Sequence, residues 1–167
     1  MRDVPETTIQ AATAQDARVI AEIYNEAVTS STATFDLEPV SMESRVEWLA
    51  EHDDTHPVLV ARRDGEVVAW GSLSSVSDRA AWDATVEIST YVAPGHIGTG
   101  LGTLLGVELL DRARELGHHV VISRVCAENT ASIRLTERLG FGHVGVMHEV
   151  GRKFGRWLDV VILEKRL

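Results

Sequence analysis

The sequence predicts one mixed α/β domain over residues 1–167, with elements in the order β-α-α-β-β-β-α-β-α-β-β. Three observations carry that prediction. β-rich runs alternate with segments whose apolar residues recur at helical spacing. The pair Asp64-Gly65 separates two β-rich runs, which is a hairpin signal. A strand-like run, TVEISTYV, passes through a glycine-rich turn into a long apolar helical run. The length of 167 residues suits one sizeable core, and 44% hydrophobic with 25% charged residues is ordinary for a soluble globular chain.

The elements follow in order. TTIQAA reads as the first strand. Thr13, with Asp16 three residues later, resembles a capping box, and Val19, Ile20, Ile23, Tyr24 and Ala27 then fall on one helical stripe. STATFDLEPV, from around Ser30 to Val40, has no clear period and reads as a loop. Ser41 caps a second helix with Met42, Val46 and Leu49 on one face. PVLVARR and EVVAWGSL form the hairpin, SSVSDRAAWDA is a polar connection, and TVEISTYV is the fourth strand. The glycine turn leads into a helix to Leu116, closed by Gly117. HHVVISRVC is the fifth strand. Asn129 caps a helix ending at Leu139, with Gly140 as its C-terminal glycine. Strands around His143–Val150 and Asp159–Leu163 finish the chain.

Charge and composition exclude several partners. A net charge of −9 argues against nucleic acid, which needs a basic footprint. No basic amphipathic face and no run of about 18 apolar residues points to a membrane. Cys126, the single cysteine, cannot form an internal disulfide, and the N-terminus has no apolar signal-like core, so a reduced cytoplasmic setting is expected. His52 and His56 flank Asp53 and Asp54, but Pro57 ends the helical spacing at once, and His118 and His119 point to opposite faces of a strand. No metal is expected.

The turn GHIGTGLG, Gly95–Gly102, is the strongest local signal. Glycines allow positive φ and close backbone approach, and a helix start offers free N–H groups and a positive dipole end to an anion. A nucleotide P-loop would need Lys then Ser or Thr after the last glycine, where Thr103 and Leu104 stand. A dinucleotide fingerprint would need glycine where Thr103 stands, and an acid at the end of the next strand, which reads Arg124-Val125-Cys126. Coenzyme A is the third ligand class. A plain tight turn explains the loop alone as well.

The wider sequence adds a resemblance. TVEISTYVAPGHIGTGLGTLL, CAENTASIRLTERLGFGHVG and VGRKFGRWLDV resemble the GNAT N-acetyltransferases, and among them the bacterial phosphinothricin and methionine sulfoximine/sulfone acetyltransferases. The resemblance runs from about Ile9 to Leu167. It implies a twisted, mostly antiparallel sheet splayed between its fourth and fifth strands, flanked by about four helices, with acetyl-CoA in the split. It also implies a homodimer, and acetyl transfer to the α-amine of a small amino-acid-like acceptor. Ile97, Gly98, Thr99, Gly100, Leu101, Gly102 and Thr103 then form the cofactor loop. Ile97 stands where the family carries Gln or Arg; contacts from backbone N–H groups do not depend on that side chain. Asn129 and Ser132 would meet the pantetheine arm and phosphates, although their spacing as N-cap and N3 is also explained by helix capping. Arg134 and Arg138 share a helical face and could meet the 3′-phosphate or simply solvent.

Acetyl transfer needs a base for the amine, a donor for the thioester oxygen and a proton for the departing thiolate. Strand period puts Val86, Ile88, Thr90 and Val92 on one face, and Glu87, Ser89 and Tyr91 on the other. A glutamate in mid-strand is costly to bury unless paired or wet, so Glu87 is the base candidate, as its matching position in the family suggests. The resemblance places the oxyanion donor at a backbone N–H of Tyr91 or Val92, beside a bulge. The family's helix tyrosine is absent, and Thr136 stands where the phosphinothricin group has histidine, so solvent protonation of the thiolate is expected. Arg79 is the expected carboxylate anchor, because guanidinium binds carboxylate bidentately. Trp82, Phe35 and Lys153 complete the expected acceptor site, with Trp157 and Lys153 closing it. A protein or peptide N-terminal acetyltransferase and a CoA-binding module without turnover are the competing functions.

Overall fold

The expected order of elements is present in the computed structural model, which describes residues 6–167. The strands are β1 (Thr7–Ala11), β2 (Val58–Arg63), β3 (Glu66–Ser75), β4 (Thr85–Val92), β5 (Val120–Cys126), β6 (Gly142–Lys153) and β7 (Arg156–Arg166). The helices are α1 (Ala17–Ser30), α2 (Met42–Glu51), α3 (Leu101–Glu115) and α4 (Thr130–Arg138). One sheet contains all seven strands in the order β1-β2-β3-β4-β5-β7-β6.

Five of the strand pairs are antiparallel, and β4–β5 is parallel. Parallel neighbours need a long crossover, which α3 supplies. The pairing covers only Thr85–Glu87 against Val120–Ile122. Beyond Glu87 and Ile122 the two strands diverge, so the sheet is split at the expected place. The β2–β3 hairpin turns at Asp64 and Gly65, with φ of 50° and 82°, the left-handed pair that a two-residue turn needs.

The two faces of the sheet hold separate cores. On one, Leu101, Leu105 and Leu109 of α3 are almost fully buried against Leu73, Val86, Ile88 and Val121. On the other, Ile20 and Ile23 of α1 meet Val58, Val60 and Trp70, with Tyr24, Trp48 and Tyr91 packed around them. The alternation read from TVEISTYV is therefore realised: Val86 and Ile88 face α3, and Tyr91 faces α1. Leu135 of α4 and Leu139 at its end reach with their side chains onto two glycines of α3. A Cβ on Gly102 would stand 2.8 Å from Leu135 Cδ1, and one on Gly106 2.5 Å from Leu139 Cδ1.

Two expectations are corrected. The buried side of α2 is not Met42, Val46 and Leu49: Met42 and Val46 are exposed, and the most buried residue of the helix is Arg45. Its guanidinium lies 4.7 Å from the Tyr24 ring centre and 4.5 Å from that of Trp48. An aliphatic stem with a cation that aromatic faces attract behaves as a core residue here, which a polar/apolar pattern does not register. The last two strands are also longer than expected. VGRKFGRW is the tip of a continuous β6–β7 hairpin, turning at Phe154 and Gly155 with φ of 51° and 73°.

Candidate active site

The glycine turn joins β4 to α3. Gly98 and Gly100 have φ of 80° and 84°, a region that side chains strongly disfavour. The first helical bond of α3 runs from Leu104 N–H to the Gly100 carbonyl, 3.0 Å. The N–H groups of Leu101, Gly102 and Thr103 therefore have no intrahelical acceptor and point out of a helix N-terminus, where the dipole favours an anion. Ile97 is 69% exposed, so nothing in the turn depends on its side chain. Thr99 is a brace: its hydroxyl donates to the His96 carbonyl, 2.7 Å, and accepts from the Arg63 guanidinium, 3.2 Å.

This turn floors a groove of about 560 Å³, walled also by Tyr91, Val92, Asn129, Ser132 and Arg138. That volume lies within the usual range for small-molecule sites. Glycine donors at one end and a narrow apolar channel along the split suit the pyrophosphate and pantetheine arm of coenzyme A. Gly102 also receives the tip of the Leu135 side chain, which an added Cβ would push aside. Asn129 does cap α4, its Oδ1 accepting from Ser132 N–H at 3.2 Å. Thr136 is buried and donates its hydroxyl to the Ser132 carbonyl at 2.8 Å, so it has no proton to offer the cleft. Arg138 borders the groove.

The reacting end is where β4 and β5 part. Glu87 is the last residue of β4 that pairs with β5. Its carboxylate accepts two bonds from Arg124 of β5: Nε to Oε1 at 2.8 Å, and a second from Nη2 to Oε2. Glu87 holds the Arg124 guanidinium above its ordinary pKa, burial opposing this only partly. The β3–β4 register is unbroken from Ala69↔Val92 to Ser75↔Val86, so the expected bulge near Tyr91 is absent. Ala93 N–H donates to the Val68 carbonyl. Alternation along β4 then turns the Tyr91 N–H toward β3 and the Val92 N–H toward the open split. The Tyr91 ring stacks on Trp70, centroids 4.8 Å apart, and burial raises its phenol pKa far above the ordinary value. Tyr91 is thus a wall of the site, and Val92 carries the N–H that faces the split.

The acceptor side is built by segments far apart in sequence. Tyr24 of α1 donates to Asp36 Oδ2 at 2.6 Å and shares a 2.8 Å bond with the Thr34 hydroxyl. Burial, with Asp36, raises its pKa to about 12. Lys153 is not on a surface loop: it is 4% exposed and donates to the Thr34 carbonyl at 2.9 Å, and burial lowers its pKa. Phe35 lies flat on Gly151, where an added Cβ would stand 2.3 Å from the ring. Arg79 and Trp82 sit on an exposed 3₁₀ turn leading into β4, outside the lining of the cleft. The structure thus packs Phe35 and Lys153 against neighbouring segments, behind the residues that line the cleft, and leaves Arg79 and Trp82 at the surface; Trp157, near the hairpin tip, is 60% exposed. His52 and His56 are engaged separately, with Trp48 and Ser74 in one case and Asp53 in the other.

Arg124, Arg63 and the Tyr24, Thr34 and Asp36 that surround Lys153 were missed by sequence reasoning. Arg124 did leave a signal, a lone cation in the apolar strand VVISRVC. The others needed tertiary contacts.

Comparison with known proteins agrees with this geometry. Residues 20–141 match the Acetyltransferase (GNAT) family. An L-methionine sulfoximine/L-methionine sulfone acetyltransferase of Salmonella typhimurium is 39% identical over 161 residues, covering 96% of this chain and 94% of its own. The crystal structure of a phosphinothricin acetyltransferase from Sinorhizobium meliloti in complex with acetyl-CoA superposes with a TM-score of 0.93 at 33% identity, over 96% of this chain and 88% of that one. A ribosomal-protein-alanine N-acetyltransferase structure from Brucella melitensis gives a TM-score of 0.93 at 39% identity, over 96% and 99%. The split sheet, the glycine turn at the start of α3 and these matches together show that this chain belongs to the GNAT acetyltransferase family.

Proposed function

We propose that this acetyltransferase moves an acetyl group from acetyl-CoA to the α-amine of a small amino-acid-like acceptor, of the methionine sulfone, methionine sulfoximine or phosphinothricin type. The observation that carries the reading is the carboxylate of Glu87 at the vertex of the β4–β5 split, on the same strand as the Val92 N–H. Acetyl-CoA supplies the acetyl group and departs as the thiol.

The free N–H groups of Leu101, Gly102 and Thr103 hold the pyrophosphate, and the walls from Val92 to Ser132 hold the arm. An α-amine is mostly ammonium at pH 7. Glu87, directly or through water, takes its proton, and the amine then forms the C–N bond as the C–S bond breaks. Val92 N–H donates to the oxygen that gains charge. The nitrogen releases its second proton to solvent as the amide forms, and solvent protonates the thiolate, since Thr136 is committed to its own helix. Phe35 and Lys153 bound the acceptor pocket, and Arg79 with Trp82 forms its outer lip, where Arg79 meets the acceptor carboxylate.

A protein acetyltransferase is the second reading, favoured by the similarity to the Brucella ribosomal-protein enzyme. Thiol release from acetyl-CoA, measured with the three small acceptors, free amino acids and N-terminal peptides, separates the two. Turnover with peptides alone would overturn the proposal. Loss of turnover in Glu87→Gln with CoA binding intact would distinguish an enzyme from a binding module.

The homodimer and a cytoplasmic setting belong to the same proposal. β6 is an edge strand with Val144, Val146 and Val150 exposed, flanked by Phe154 and Trp157. Light scattering on the purified chain tests this. No helix among the described residues is long and apolar enough to cross a membrane.

A further inference from the structure

We propose that Arg124 is the inner carboxylate-binding group of the acceptor site, and that the Glu87–Arg124 pair selects zwitterionic α-amino acids over other amines. The inference rests on the acceptor class proposed above and adds the residue that enforces it.

The geometry comes from the end of the β4–β5 ladder. Glu87 and Ile122 are the last opposed residues. Arg124 lies two positions further along β5, so it projects from the same face as Ile122 and reaches back to Glu87. Nothing else in β5 explains a cation there: Val121, Val125 and Cys126 are buried, and Val120 and Ile122 are half-buried. The two ends of the pair differ. The Glu87 side chain is 18% exposed, while that of Arg124 is 53% exposed and lines the cleft together with Ser89, Tyr91 and Asn129.

Donor arithmetic supports a second anion. A guanidinium carries five N–H donors, and the bond to Glu87 engages one on Nε and one on Nη2. Three remain, with the exposed edge of the group turned to the cleft. An α-amino acid holds an ammonium and a carboxylate on one carbon. Laid across the pair with its charges reversed, it places the ammonium on Glu87 and the carboxylate on Arg124. Binding then delivers the reacting nitrogen to the base and gives the guanidinium a partner that competes with Glu87. A peptide N-terminus offers the ammonium, but its neighbouring carbonyl is a neutral amide. An amine without a carboxylate leaves Arg124 with Glu87 alone. Arg79 is compatible with this role, because a carboxylate accepts about four hydrogen bonds and the two arginines approach from the lip and from the vertex.

The test compares methionine sulfone with its decarboxylated amine, 3-(methylsulfonyl)propan-1-amine, by thiol release. The wild-type chain is expected to prefer the amino acid by at least about 100-fold in kcat/KM, as a site built to bind a polar group rejects the analogue lacking it. In Arg124→Gln that preference is expected to fall by roughly 30-fold or more, mainly through KM for the amino acid, and Arg124→Lys is expected to recover part of it. CoA affinity, measured by calorimetry, shows that each variant is folded. A preference that survives in Arg124→Gln while Arg79→Ala abolishes it would overturn the role of Arg124 and leave the acceptor class standing. Equal losses for both substrates would also overturn it, since Arg124 would then act only through Glu87. If the wild-type chain acetylates peptides and neither small substrate, the acceptor class and Arg124's role fail together.

Discussion

The two faces of the split sheet are built on different principles. On the α3 face, buried side chains are almost all aliphatic, and the features proposed to meet the cofactor are backbone: positive-φ glycines and free N–H groups at the start of α3. On the α1–α2 face, the buried set includes Arg45, Lys153 and Thr34, with Tyr24, Asp36 and Tyr91 around them. Burying charge is unfavourable unless it is well partnered, and the Arg45 Nε has no hydrogen-bond acceptor among the described residues. A common cofactor can be held by groups any sequence possesses. A particular acceptor needs charges at fixed places, and the fold accepts their cost on that face alone.

The largest effect expected from this contrast is on stability. Leu105 is fully buried under the cofactor platform, so Leu105→Ala should lower unfolding free energy by about 2–5 kcal/mol in a denaturant titration. A charge-removing change on the opposite face should behave differently. Burial lowers the pKa of Lys153, which means the folded state opposes its protonation. At pH 7, below its ordinary value of 10.5, that opposition is a standing cost to the folded chain. Lys153→Met keeps the volume and removes the charge, while leaving the Thr34 carbonyl without its donor. Stability should change by less than about 1.5 kcal/mol in either direction, because these opposing effects are of similar size. KM for the acceptor should rise, and CoA affinity should not move. A loss as large as that of Leu105→Ala would mean the two faces are not built differently.

The same contrast explains what the sequence disclosed. Period and turn chemistry are local, so the element order, the Asp64-Gly65 hairpin, the α3 platform and the Gly98–Gly102 turn were all legible. Glu87 was legible because a carboxylate in mid-strand breaks a local rule. The partner that holds it was not, since Arg124 is 37 residues away and reaches it only because α3 returns β5 parallel to β4. Arg45 was passed over because a residue can be buried through its stem and its attraction to aromatic rings. Lys153 was read as a residue that closes the acceptor site, and its burial was not legible. Its bond to Thr34 spans 119 residues. The exposed turn that carries Arg79, the expected carboxylate anchor, was legible only as a polar connection.

Where the two faces meet at the mouth of the cleft, the expected effects are smaller and electrostatic. Glu128 accepts two bonds from Arg156 and one from the Thr32 hydroxyl, tying the loop after α1 to the β6–β7 hairpin. The Arg156 bonds first, then Thr32, lower its pKa from 4.5 to about 2. A carboxylate with a depressed folded pKa contributes stability above its unfolded pKa, and that contribution is lost as pH falls through the folded one. The stability difference between wild type and Glu128→Gln should thus be constant above about pH 5.5, shrink from there toward pH 2, and diminish in high salt because the groups are exposed. A difference that grows on acidification would contradict the clamp.

Arg63 offers the smallest effect and the most direct probe of the backbone-built face. Its guanidinium reaches from the end of β2 to the Thr99 hydroxyl and to Thr7 Oγ1, at 3.2 and 3.0 Å, so it steadies the glycine turn from behind. The turn's donors are backbone N–H groups, and Arg63 can influence them only by fixing Thr99. Arg63→Ala should therefore weaken CoA binding by about 2–5-fold, the worth of one ordinary hydrogen bond, with kcat unchanged at saturating acetyl-CoA. Thr99→Val removes this bond together with the hydroxyl's bond to the His96 carbonyl, so the double variant should be no weaker than Thr99→Val alone. Additive losses would mean that Arg63 acts on the cofactor's charge itself, and that this face too depends on a side chain.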